Sequence, residues 1–218
     1  MKRKVVLTVF LVLLFSSFSY ASDGVFPLSM TLDFDREVIQ DYADVYGWER
    51  TVAVAYDKAQ RVTAGTNQWV EVMGRLFTPL ITWVEANSRN EYLLGDPEDV
   101  EAIYEEYLWY PENAMYFLVV AASLSQAAVT AENIDFIVED DLGNRWRKPI
   151  VRSRGVDAQQ FSGLTVYVSI FDVQFDIRSN LPDWSSIKQL TMYMLRTDDA
   201  MERVDMQWDL IPVGERMN

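Results

Sequence analysis

Apolar and polar positions alternate most cleanly near the end of the chain. Val204, Met206, Trp208 and Leu210 interleave with Arg203, Asp205, Gln207 and Asp209. Successive side chains of a strand point to opposite faces, so this period of two predicts a strand with one buried and one wet face. Leu190, Met192 and Met194 alternate in the same way just before it, and the two runs read as the arms of a hairpin. The stretch LTVYVSIFDVQFDI predicts another strand, with Leu164, Val166, Val168 and Ile170 on one face and Thr165, Tyr167 and Ser169 on the other. Residues 115–123, MYFLVVAAS, are almost wholly apolar and hold no Pro or Gly, the pattern of a central strand covered on both sides.

A second hairpin is written into residues 134–146. Ile134, Phe136 and Val138 alternate with Asp135, Ile137 and Glu139, and Asp141-Leu142-Gly143 has the residues of a three-residue loop with glycine in the left-handed position. That loop sets the register: Asp140 opposite Asn144, Glu139 opposite Arg145, Val138 opposite Trp146. The first pair closes the turn, the second matches charges for about 0.2–1 kcal/mol, and the third packs on the inner face. A calcium loop needs five or more converging oxygens, and Asp140, Asp141 and Asn144 supply too few.

Helical spacing is plainest in GDPEDVEAIYEEYLWYP. Asp96 suits an N-cap and Pro97 the first helical position. Val100, Ile103, Tyr104, Tyr107 and Leu108 form one apolar stripe, and Pro111 is expected to end the helix. Residues 35–50 look partly helical, with Val38, Tyr42 and Val45 or Tyr46 on one side. RTVAVAYDKAQRV fits a helix or a strand, and its Val-Ala alternation leans towards the strand. WVEVMGRLFTPLITWVEA reads as extended, with Pro79 at an edge or bulge.

These elements predict an α+β chain: mainly an antiparallel β-sandwich, immunoglobulin-like, with an N-terminal helical portion and a helical insertion around residues 96–110. Residues 22–68 form an accessory segment and 69–218 the sandwich, with the boundary at the TAGTN turn, or the two run together as one domain.

The first 21 residues stand apart. Lys2, Arg3 and Lys4 precede an apolar run over residues 5–15, and Ser19-Tyr20-Ala21 fits the small-x-small rule, so a secretory signal cut after Ala21 is expected. The run is shorter than the roughly 20 residues of a spanning helix. No other stretch is long enough to span. No cysteine follows, which excludes lipoprotein-type anchoring. The expected location is the periplasm or the exterior. The leader holds three of the 19 basic residues and none of the 33 acidic ones, so the remainder carries 16 against 33, a net charge of −17. Such a charge repels nucleic acid and anionic headgroups.

Composition also excludes chemistry. With no histidine and no cysteine there is no imidazole base, no Ser-His-Asp triad and no thiolate nucleophile, and a zinc or copper site loses its usual ligands. Ser185 and Lys188 have S-x-x-K spacing, but the companion motifs of penicillin-recognising enzymes are missing. Adjacent acids occur at Asp140-Asp141, Asp198-Asp199 and Glu105-Glu106, yet neighbours on a strand point to opposite faces and do not make a glycosidase pair. No catalytic, cofactor-binding or metal-ligating residue is assigned, and no cofactor is implied.

These features together point to an exported, non-catalytic bacterial envelope protein with a binding or assembly role. Its partner would be an envelope or extracellular protein, or a glycan. A carbohydrate-binding sandwich is the alternative, for which a coplanar exposed row among Trp48, Trp69, Trp83, Trp109 and Trp184 would speak. A carboxylate-dependent hydrolase is a further alternative, marked by a cleft with two opposed acids, one with a raised pKa.

Overall fold

A computed structural model describes residues 28, 30–31, 34–64, 70–198 and 202–210. The proposed leader and its cleavage site lie outside them. The described residues form a mixed α+β structure of two antiparallel sheets and four α-helices. The helices are α1 (Arg36–Tyr46), α2 (Trp48–Ala59), α3 (Pro79–Leu93) and α4 (Asp99–Asn113). The strands are β1 (Gln60–Ala64), β2 (Glu71–Phe77), β3 (Ala114–Ser123), β4 (Ile134–Asp140), β5 (Arg145–Trp146), β6 (Ile150–Phe161), β7 (Leu164–Asp176), β8 (Gln189–Arg196) and β9 (Arg203–Asp209). One sheet has the order β1-β2-β3-β7-β6 and the other β5-β4-β8-β9. Among the described residues, no helix is long and apolar enough to cross a membrane.

The inner faces of the sheets meet ring to ring. Phe117 of β3 lies 5.2 Å from Trp208 of β9, and Phe136 of β4 lies 5.7 Å from Phe171 of β7. These side chains belong to one buried cluster that also takes in Ile39 of α1, Val54 of α2, Leu80 of α3 and Tyr104 of α4. Gly74 on β2 makes the closest approach possible: a Cβ there would stand 2.8 Å from Met206 Sδ and 2.9 Å from the Trp208 ring. The opposite edge, β6, is exposed along most of its length. It carries Arg152, Arg154 and Asp157 and a bulge between Ser153 and Val156, with Gly155 at φ +91°, features that blunt an open edge against pairing with another chain.

The hairpin of residues 134–146 has the register its sequence predicts, and the arms of the other have the predicted facing. Leu190, Met192, Met194, Val204, Met206 and Trp208 are buried, and Arg203, Asp205, Gln207 and Asp209 are exposed. Val138 pairs with Trp146 and Glu139 with Arg145, and Gly143 sits at φ +88°. β3 is central, with Met115, Phe117, Val119 and Ala121 fully buried and Tyr116, Leu118 and Val120 half-buried. Helices precede the sheets, and a second helical pair lies between β2 and β3.

Elsewhere the structure corrects the pattern. Residues 48–59 are a helix, not a strand, because Thr51, Val54, Ala55 and Ala59 form a buried stripe at helical spacing. The expected extended stretch 69–86 is a strand only as far as Phe77. Thr78 then caps α3, accepting the Ile81 N–H at 3.3 Å, and Pro79 occupies the first helical position rather than a strand edge. In α1 the buried side chains are Ile39 and Ala43, while Val38, Val45 and Tyr46 are exposed.

The insertion is therefore larger than residues 96–110. Helix α4 itself begins at Asp99, whose carboxylate reaches back to the Asp96 N–H at 3.1 Å. It runs through Pro111 to Asn113, so the proline expected to end the helix lies two residues inside its last turn. Val100 and Ile103 are half-buried and Tyr104 buried; the side chains of Tyr107 and Leu108 lie outside the description. In β7 the core face is Ser169, Phe171, Val173 and Phe175, so Val168 and Ile170 fall on the other, half-buried face.

Candidate functional site

A concavity lies between the helices. A cleft of about 420 Å³ opens between α1, α2, α3 and α4. Its apolar wall is Trp48 and Trp83, packed edge to face at 5.5 Å and 77°. Trp83, Asn87 and Asn90 reach the cleft at spacings of four and three along α3, one face of that helix. Gly47 positions Trp48. At φ +83° it ends α1, donating to Ala43 O at 2.7 Å, and its own carbonyl accepts from Thr51 as α2 begins.

Arg36 comes from the first turn of α1, after the N-cap Asp35, whose side chain accepts the Val38 N–H at 3.2 Å. Its guanidinium lies 5.5 Å from the centroids of Phe34 and Trp83 and 5.2 Å from Tyr104, and donates to Glu101 of α4 at 3.1 Å. Asn87 is only 9% exposed; its Nδ2 donates to Trp83 O at 2.9 Å. Asn90 Nδ2 donates to Asp96 O at 2.9 Å, and the Gly95 N–H donates to Asn90 O, so the α3–α4 loop is wrapped around this side chain. Glu91, Glu98 and Glu101 complete the rim.

The residues weighed from the sequence have other positions. Asp140 is 4% exposed; it accepts from Leu142 N, Asn144 N and Asn144 Nδ2 at 3.0, 2.8 and 2.7 Å. Asp141 accepts from the backbone of Lys188 and Gln189. Asp198 pairs with Arg196, Asp199 lies outside the described residues, and Glu105 and Glu106 are exposed on α4. Ser185 and Ser186 both donate their hydroxyls to Asp183, at 2.6 and 2.7 Å, rather than facing Lys188. Among the described residues no group of three or more acids is placed to hold a metal ion.

Of the tryptophans proposed as a sugar platform, Trp83 is buried and Trp48 and Trp184 are half-buried. Trp69 and the Trp109 side chain lie outside the description. Trp146, 5% exposed, donates its indole N–H to Asn180 O at 3.1 Å.

One acid is pushed strongly upward, and it is not in the cleft. Burial pushes Glu85 on α3 up to about 7 from an ordinary 4.5. The fold thus favours its neutral form. Its stabilising effect is complete below pH 4.5 and is lost as pH rises to 7. Glu85→Gln is expected to flatten this decline and to raise stability at pH 8 by about 3 kcal/mol, measured by urea unfolding across the range.

Sequence reasoning missed the cleft because it read α3 as extended. The signal was present: a Thr-Pro start, followed by Trp83, Asn87 and Asn90 on one helical face. No family model matches the chain, and neither a curated protein nor a solved structure matches it.

Proposed function

We propose that this is an exported, non-catalytic bacterial envelope protein that works by binding, with the helical cleft as its ligand site. The cleft carries the reading: its lining offers ring faces, amide oxygens and carboxylates, the groups that hold a ligand. The leader pattern of residues 1–21 supports export. The scaffold proposed is an immunoglobulin-like sandwich, for which β2-β3-β7-β6 facing β5-β4-β8-β9 speaks; it matches the order A-B-E-D against C′-C-F-G. The chain departs from antibody domains in having no cysteine and therefore no disulfide, and in placing buried tryptophans on β5 and β9 rather than on the strand equivalent to C. A neutral glycan is the second reading for the same cleft, favoured by half-buried Trp48 on its wall.

Expression of the full chain in a Gram-negative host tests this. The expected product begins at Ser22 and is recovered outside the cytoplasm, with no turnover on esters, peptides or glycosides. An uncut Met1 terminus in the cytoplasm would overturn export. Turnover abolished by changing one carboxylate would overturn the non-catalytic assignment.

A further inference from the structure

We infer that copies of this chain associate head to tail, the exposed tip Tyr92-Leu93-Leu94 of one copy seating in an arginine-bordered hollow beside Ile150 of the next. The tip closes α3. All three side chains are exposed, Tyr92 by 86% and Leu94 by 93%. A contiguous apolar patch left in water marks an interaction site. Leu94 also holds φ +54°, a left-handed conformation that glycine adopts at lower cost, and Gly95 follows it directly. No burial within the chain offsets that cost.

The tip opens an acidic stretch: residues 91–106 hold seven acids and no basic residue. That border repels an anionic membrane surface and suits an apolar hollow with a positive rim. This chain supplies one. Residues 142–156 hold five basic residues and no acid, the reverse of a chain whose net charge is −14. Against them lies a hollow of about 180 Å³, lined by Tyr116, Ile150, Arg152, Asp172 and Gln174. It is smaller than the roughly 300–1,000 Å³ of small-molecule sites and suits one inserted side chain. Ile150 is exposed at its mouth. Asp172 is taken up by the Tyr116 hydroxyl and the Arg154 guanidinium. The Arg152 side chain makes no hydrogen bond or ion pair among the described residues, so its charge is available to a partner. Lys148, in the same basic stretch, is at φ +58°. Two of the three non-glycine residues at positive φ among the described residues thus fall in these two patches, and such strain collects at functional sites. The bulge in β6 bars strand addition, so side chains make the contact. At about 0.15 M salt the Debye length is about 8 Å, and the local charges outweigh the net repulsion of two acidic copies. Tip and hollow are different surfaces, so the contact is heterologous and leaves one of each open at the ends of an assembly.

Sedimentation velocity of the purified protein over a concentration series tests this. The parent is expected to form dimers and then larger species. The double variants Y92S/L94S and I150S/R152S change exposed side chains, should keep the parent's urea midpoint, and are each expected to weaken association at least about tenfold. Mixed one to one, they should give a dimer and nothing larger, because one retains its hollow and the other its tip. Leu94→Gly suits the left-handed position and should weaken association without loss of stability. A parent that stays monomeric up to about 1 mM would overturn the inference. So would association unchanged in either double variant, or a mixture of variants with parental midpoints that stays monomeric. The export and cleft readings stand or fall separately, since this assay needs neither leader nor ligand.

Discussion

Trp208→Ala is expected to destabilise the fold by about 4 kcal/mol, in the range for emptying a large buried aromatic site. The side chain is 0% exposed, 5.2 Å from Phe117, and packed over Gly74. It also joins sheet to helix: the indole Nε1 donates to Ala59 O at 2.7 Å, a last-turn carbonyl of α2 that has no intrahelical donor. Alanine both opens a cavity and orphans that acceptor. Trp208→Phe keeps one six-membered ring but loses the N–H and part of the bicycle, so it opens a smaller cavity while orphaning the same acceptor, and about 1–2 kcal/mol is expected. Denaturant midpoints measure both. A loss below about 1 kcal/mol for the alanine variant, the typical net worth of a single hydrogen bond, would show that β9 does not anchor α2.

Asp140→Ala is expected to lower stability by about 3 kcal/mol, because a buried carboxylate accepting several hydrogen bonds cannot be replaced by water in so closed a turn. Its Oδ1 holds Leu142 N and Asn144 N, and its Oδ2 holds Asn144 Nδ2. Asp140→Asn preserves the acceptor for the two backbone donors and should cost about 1 kcal/mol. Amide exchange at Leu142 and Asn144 reads the loop directly. Protection there in the alanine variant equal to the parent's would refute the assigned role.

The hairpins were legible because their patterns admit one reading. Arg203 to Leu210 alternates without exception, and a slip of one residue would bury Asp205 and expose Met206. Asp141-Leu142-Gly143 has a glycine where the left-handed position falls. Strand β7 was legible as a strand but not in its facing. Val166, Val168 and Ile170 are apolar, and so are Phe171, Val173 and Phe175, because the strand lies between β3 and β6 and both faces are at least half covered. Alternation cannot choose between two apolar rows. Residues 51–59 failed for a related reason: Val and Ala in turn satisfy a strand's period and also leave Val54, Ala55 and Ala59 on one helical stripe.

Composition and short-range spacing impose their consequences without any fold. A chain lacking imidazole and thiol cannot perform their chemistry, and a strand with strict alternation has one wet face wherever it packs. The cleft is different. Arg36 and Glu101 are 65 positions apart, and Trp83 is brought against Trp48 from another helix. No local pattern encodes those meetings, because the free energy that makes them comes from burying helix faces against one another, and the partner of each face is distant in the chain.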